Sequence, residues 1–269
     1  MASPPAERMA IFFSVGEVRL ALRLSQVREI LAADPACGEV MARGVAVPLL
    51  PVAVPLGVAG GPGRFALVIC GDPRSAPGEE CAPRSALRVD AVHGIVELSR
   101  AEVFQLPART LLPQPPPFHA ALAVDGAVAL ELAVDALGWA PLEPAADTVA
   151  PPPEVEFPVG PELLFSRRGR TFAVPISLLV CVLDAPRIHP VPLAPPSHLG
   201  LAYHGRAIHP VLDPPVLYGD SQGPAAAANV LLVDAGGVQI GLAADAFLQP
   251  GAATEGAVAR PSWDALFAG

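Results

Sequence analysis

Residues 18–31 read VRLALRLSQVREIL, and residues 170–183 read RTFAVPISLLVCVL. Laid against each other without a gap, Leu20 meets Phe172, Ala21 meets Ala173, Leu22 meets Val174 and Ser25 meets Ser177. Val27, Ile30 and Leu31 then meet Leu179, Val182 and Leu183. The first half of each stretch alternates with period two, as a strand does. The second half spaces its apolar residues by three and four, as one short helical turn does. A strand running into a turn is thereby predicted twice, so the chain reads as two diverged copies of one domain.

The repeat extends outward from this stretch. Residues 42–57 (ARGVAVPLLPVAVPLG) align with residues 203–219 (YHGRAIHPVLDPPVLYG) once one inserted residue is allowed, with Gly44 on Gly205 and Pro48 on Pro210. The apolar run from Phe65 to Cys70 matches Val230 to Val233, and Leu87 to Val92 matches Leu242 to Phe247. The order is kept throughout. Copy one is placed at residues 9–140 and copy two at 162–269. Residues 141–161, rich in Pro, Ala and acids and without periodicity, read as a semi-stiff linker. A second Pro-rich run, Leu112 to Pro117, is either a loop joining two strands or a ligand for an aromatic groove.

Composition agrees with a β-rich chain. Hydrophobic residues make up 52% and charged residues 16%, which supports cores and excludes a disordered chain. Thirty-four prolines and 24 glycines break any long helix but suit short strands joined by tight turns. The net charge of −9 disfavours a phosphate backbone, and no basic cluster offers a footing on anionic lipid. The uncharged stretch from Gly44 to Gly63 contains four prolines and reads as strand-turn-strand rather than a membrane helix. With no signal peptide pattern at the start, the expected location is the cytoplasm.

Catalytic and cofactor chemistry find little support. The four cysteines, at 37, 70, 81 and 181, lack C-x-x-C spacing and read as small apolar residues in a reducing compartment. Four of six histidines (189, 198, 204, 209) fall in copy two and raise a metal hypothesis, but their spacing fits no helical i, i+4 pair. There is no G-x-S-x-G elbow, no phosphate-binding glycine loop and no dinucleotide fingerprint. Ser25 and Ser177 sit at strand-to-turn junctions, where a hydroxyl suits capping. Asp90 and Asp245 recur in the repeat and read as turn-forming or capping acids rather than a proton-sharing pair. The expectation is a protein with no enzymatic activity, no cofactor and no metal.

The order of motifs resembles the CheW-like domain of bacterial chemotaxis coupling proteins, also found at the end of chemotaxis histidine kinases. Copy one carries Val27-Arg28-Glu29-Ile30, Arg43-Gly44, Val47-Pro48, Leu56-Gly57 and Val89-Asp90-Ala91-Val92, and closes on Asp135-Ala136-Leu137. Copy two carries Ala173-Val174-Pro175-Ile176, Ile208 to Asp213, Leu217-Tyr218-Gly219 and Ala244-Asp245-Ala246-Phe247. The resemblance implies a mostly β fold in which each domain is a pair of small five-stranded, SH3-like barrels. It implies a scaffold without an active site, coupling a chemoreceptor or histidine kinase to other components, with Val27, Glu29, Arg43 and Gly44 as partner contacts. A protein-interaction scaffold in another signalling or motility system is the alternative; a metal-binding protein or hydrolase stands behind both. Copy two departs from the pattern at Leu179-Val180-Cys181 and at His204-Gly205, where the glutamate and the arginine are missing.

One further expectation comes from what copy two lacks. Copy one has a hairpin, Ala120 to Val124, Asp125-Gly126, Ala127 to Leu132, and Asp-Gly between apolar alternations is a strong hairpin signal. Copy two has no such hairpin, so one of its sheets is expected to leave an edge or an apolar seam. Trp263 and Phe267, four residues apart, suit one face of a helical turn that covers it. The first copy or a strand from another protein are the other candidates, and we take Trp263 and Phe267 as further partner-binding residues.

Overall fold

The computed structural model describes residues 8–70, 83–106, 117–136, 161–217, 226–235, 237–248 and 258–259. They fall into two compact units. Trp263, Phe267, nearly all of the expected linker and residues 112–116 lie outside the described residues.

The first unit begins with the hairpin β1 (Met9–Val15) and β2 (Val18–Arg23), then a 3-10 turn at Leu24–Gln26. It continues through β3 (Val27–Ala32), β4 (Glu39–Ala42), β5 (Val45–Pro51), β6 (Phe65–Cys70) and β7 (Pro83–Val89). It closes with β8 (Ala91–Glu97), β9 (Glu102–Phe104), β10 (Phe118–Val124) and β11 (Ala127–Leu132). A six-stranded sheet runs β8-β1-β2-β11-β10-β9, and a five-stranded sheet runs β3-β6-β7-β5-β4. The strand-into-turn reading of residues 18–31 holds for Val18–Gln26, but from Val27 the chain is again extended. Residues spaced by three and four there are cross-strand partners of β6, with Ile30 opposite Leu67 and Leu31 opposite Ala66. Tertiary pairing overrides the short helical signal.

The second unit repeats the plan. Its elements are β12 (Glu162–Arg167), β13 (Arg170–Pro175), a 3-10 turn at Ile176–Leu178, β14 (Leu179–Asp184), β15 (Ile188–His189), β16 (His198–His204) and β17 (Ala207–Leu212). The short helix α1 (Pro214–Leu217) and strands β18 (Asn229–Ala235), β19 (Val238–Ala244) and β20 (Ala246–Leu248) follow. The order β14-β18-β19-β17-β16 is that of β3-β6-β7-β5-β4, and β20-β12-β13 is that of β8-β1-β2. Copy two adds one strand, β15, drawn from its longer excursion between β14 and β16.

The register aligns residues 42–51 with 204–213 without a gap. Arg43-Gly44 joins β4 to β5 and Gly205-Arg206 joins β16 to β17, with Ala42 opposite Val45 and His204 opposite Ala207. Gly44 therefore stands over Arg206, not Gly205, and the inserted residue allowed by the sequence alignment is unnecessary. The arginine is not lost in copy two: the pair is inverted. The type I′ two-residue hairpin loop takes positive φ at both positions, and both turns show it, with Arg43 at 49°, Gly44 at 82°, Gly205 at 59° and Arg206 at 61°.

Most of the apolar positions expected inside are inside, though Leu179, the counterpart of Val27, is half-buried. Leu20, Leu22, Val68 and Val89 are fully buried, Val27, Val47 and Leu49 nearly so, and Phe172, Val174, Val211 and Leu232 match them in the second unit. The core of the second unit's first sheet centres on Phe165 and Phe172, stacked at 5.5 Å, with Val174, Leu231, Ile240 and Leu242.

The missing hairpin of copy two leaves a visible trace. In the first unit β11 lies parallel to β2, with Leu130 opposite Leu20 and Glu131 opposite Ala21. In the second unit Ala259 lies parallel to β13, opposite Phe172. The Ala173 N–H donates to the Ala259 carbonyl at 3.1 Å, and the Ala259 N–H donates to the Thr171 carbonyl at 2.9 Å. The tail thus takes the register position of β11, on residues other than the Trp263 to Phe267 stretch singled out by sequence. Among the described residues, no strand of the second unit corresponds to β9 or β10.

Candidate protein-interaction surface

Asp90 and Asp245 show how the two copies pin the same corner. Each follows the strand that enters the corner, and each backbone N–H donates to an equivalent carbonyl, Ser14 at 2.9 Å and Ser166 at 2.8 Å. The Asp90 carboxylate accepts the N–H groups of Gly16, Gly61 and Gly63, each at 2.7 Å. Burial alone would raise its pKa, but these three donors hold it below the ordinary carboxylate value. Asp245 accepts the N–H of Arg168, which stands where Gly16 does, at 2.7 Å. Burial again pushes upward, and that N–H with the guanidinium of Arg167 and the charge of Arg168 outweighs it. Both acids cap the first hairpin turn, as the sequence suggested. Ser25 and Ser177 lie inside 3-10 turns that carry no side-chain cap at their first residue.

The four histidines of the second unit do not converge. Among the described residues no group of three potential ligands could hold a metal. His189, His198 and His209 are buried individually along β15, β16 and β17. Burial lowers the pKa of His198 to about 4, against a smaller upward pull from its own backbone. His209 is also lowered, by burial first, despite its contact with the His204 carbonyl.

That shift has a sign. A histidine with a folded pKa near 4 is neutral in the fold, while the unfolded chain protonates it below its ordinary value of 6.5. Protons therefore favour unfolding in that window: the stability is complete above pH 6.5 and is lost as pH falls toward 4. The second unit is expected to lose about 2 kcal/mol from this group between roughly pH 7 and pH 5, above most carboxylate titration. Urea unfolding at the two pH values measures it, and His198→Leu should flatten the slope. An unchanged slope in that variant would refute the assignment.

The partner-contact residues expected in copy one fall on the two edges of one sheet. Val27 and Glu29 lie on β3, one edge of the five-stranded sheet, and Arg43-Gly44 is the tip of the β4–β5 hairpin at its other edge. The two edges share a core: Leu31 of β3 and Val40 of β4 pack on Ala42, Val47, Leu49 and Val68. A register shift between Val27 and Glu29 puts a bulge in β3, and bulges re-aim side chains. Val27 itself is buried in the protein. Glu29 is half-buried, and its Oε1 meets no hydrogen-bond partner. No ion pair joins Glu29 to Arg43 among the described residues. Arg43 and Gly44 are exposed, flanked by Met41 at 60% and Val45 at 53% exposure, with Ile30 exposed on β3.

The second unit presents the same geometry with different chemistry. The bulge recurs between Leu179 and Cys181. Arg28 and Ile30 are replaced by Val180 and Val182, both exposed, and Ile176 in the preceding 3-10 turn is exposed too. Sequence reading missed this apolar edge because a valine alternation reads equally as a core strand. Only the position of β14 at the end of its sheet shows that one face is open.

The stretch from β12 to β20 is also the stretch that matches a known family. Residues 162–249 match the CheW-like domain family. The CheW-like match spans both sheets of the second unit, and the first unit repeats its strand order. No curated protein matches the chain. Among solved structures the chain is similar to the scaffolding protein TtCheW from Thermoanaerobacter tengcongensis, at 16% identity over 47% of this chain and 88% of that one, with a TM-score of 0.32. No helix among the described residues is long and apolar enough to cross a membrane.

Sequence reasoning also missed a buried charge cluster in the second unit. Arg167 and Asp213 are 1% and 0% exposed, and Arg167 Nε donates to Asp213 at 2.8 Å. Arg167 Nη1 donates to Asp245 at 2.7 Å, and Arg168 Nη2 to Asp213 at 2.5 Å. In copy one the positions of Arg167 and Asp213 hold Val15 and Pro51. No motif announced the cluster, because its members are 46 and 78 residues apart in sequence.

Proposed function

We propose that the chain is a non-catalytic adaptor in a bacterial chemotaxis-like signalling complex, acting in the cytoplasm and coupling a receptor or histidine kinase to other components. The observation that supports this reading best is the CheW-like match over the second unit, joined to the recurrence of its strand order in the first. The docking surfaces of this reading are the β3 edge with the Arg43-Gly44 hairpin tip in unit one and the β14 edge in unit two. An edge strand offers unpaired backbone groups, and the exposed side chains beside it supply selectivity. A second reading keeps the scaffold but moves it to another signalling or motility system. It is favoured by the chemical divergence of the two edges, Glu29 against Cys181 and Arg28 against Val180.

Arg43→Glu tests the proposal. The side chain is exposed, and arginine and glutamate are equally strained at a φ of 49°, so unfolding stability should change by less than about 0.5 kcal/mol. Capture of a chemotaxis-type histidine kinase or receptor by the wild-type chain, lost in the variant, is the expected result. Undiminished capture by the variant removes the hairpin tip from the interface, and capture of unrelated signalling proteins alone supports the second reading.

A further inference from the structure

One pair of side chains at the seam of the second unit's larger sheet brings a nucleophile to a base. Cys181 follows the bulge of β14, and its Sγ lies 3.7 Å from Nε2 of His204, the last residue of β16. β14 and β16 are not neighbours in the sheet, so the contact crosses from one strand to another that does not pair with it. Cys181 is a free, half-buried thiol and His204 is exposed, which leaves the sulfur open to small solutes. The corresponding positions in the first unit hold Glu29 and Ala42. Both members of the pair therefore differ from copy one together.

We propose that Cys181 is a reactive thiol that takes oxygen from hydroperoxides, with His204 as its base. When the ring proton is on Nδ1, Nε2 accepts the thiol proton as the sulfur attacks the terminal oxygen of the peroxide. An S–O bond forms and the O–O bond breaks. The departing alkoxide takes the proton from His204 and leaves as an alcohol, or as water when the oxidant is hydrogen peroxide. The cysteine is oxidised to a sulfenic acid and the peroxide is reduced. The new oxygen stands on the bulge position where the first unit carries the Glu29 carboxylate, within the edge proposed above for docking. The reactivity itself does not depend on that docking reading.

Cys37, free and exposed, is an internal reference in the same chain, and no hydrogen bond joins it to a histidine among the described residues. Full-length protein is treated with hydrogen peroxide, the sulfenic acid is trapped with dimedone, and labelling is followed site by site by peptide mass spectrometry. Cys181 should label about tenfold faster than Cys37, a modest fraction of what general-base assistance can supply. His204→Ala and His204→Asn should both bring Cys181 down to the rate of Cys37 with the circular dichroism unchanged. The pH profile of iodoacetamide alkylation should change at Cys181 in these variants and stay the same at Cys37. Labelling of Cys181 no faster than Cys37, or rates indifferent to both substitutions at His204, would overturn the proposal.

Discussion

Asp213→Asn should destabilise the second unit by about 3–5 kcal/mol, because it strips the shared anion from two guanidinium groups that are out of water. Asp213 is fully buried and accepts from Arg167 through Nε at 2.8 Å and Nη2 at 3.3 Å, and from Arg168 at 2.5 Å. Burial lowers the pKa of Arg167, and the two aspartates more than reverse this, leaving it raised and the side chain charged. With an amide at 213, Asp245 still faces Arg167, but its side chain is 41% exposed, where water screens it. The duplication supplies the control. In copy one the place of Arg167 holds the buried Val15, while Pro51, at the place of Asp213, is exposed, so the apolar filling is seen at the arginine position. Arg167→Val combined with Asp213→Ala should recover more than half of the loss. Denaturant unfolding followed by far-ultraviolet circular dichroism measures both. A single-site loss below roughly 1 kcal/mol would mean that water reaches the cluster.

Phe172→Ala should cost about 3–5 kcal/mol in the same unit. Its ring is fully buried, stacked on Phe165 and in the centre of the second unit's core. The more informative result is its coupling to the tail. In the first unit the parallel pair is Leu20 and Leu130, two mid-sized residues, both buried. In the second it is Phe172 and Ala259, one large and one small, and Ala259 packs against the core that holds Phe172. The volume of the pair is approximately kept, which is the kind of exchange that cores accept. Phe172→Leu should therefore be destabilising alone, and Ala259→Leu should be neutral or harmful alone. Together they should recover about 1 kcal/mol or more relative to the sum of the two. Strict additivity would show that the tail does not fill the place of β11.

The duplication was legible in the sequence because a strand's apolar alternation depends on local chemistry. Leu20, Leu22, Phe172 and Val174 must face inward whatever else happens, and the recurrence of their spacing reveals the repeat. The capping role of Asp90 and Asp245 was legible for the same reason: an acid after an apolar strand is useful where a chain turns. The mostly β class followed from proline and glycine content, which forbids long helices. Tertiary structure decided the rest. Which strand lies at a sheet edge is a matter of pairing order, so the exposure of Val180 and Val182 on β14 could not be read from their alternation. The true partner of Gly44 emerged only from hairpin register, since a one-residue shift leaves the composition of the turn unchanged while exchanging every partner. The Arg167–Asp213–Asp245 cluster, the contact of Cys181 with His204 and the tail residue Ala259 beside Phe172 each join positions 23 to 87 residues apart. Such contacts depend on how the sheets close, and closure is a property of the whole chain rather than of any stretch within it.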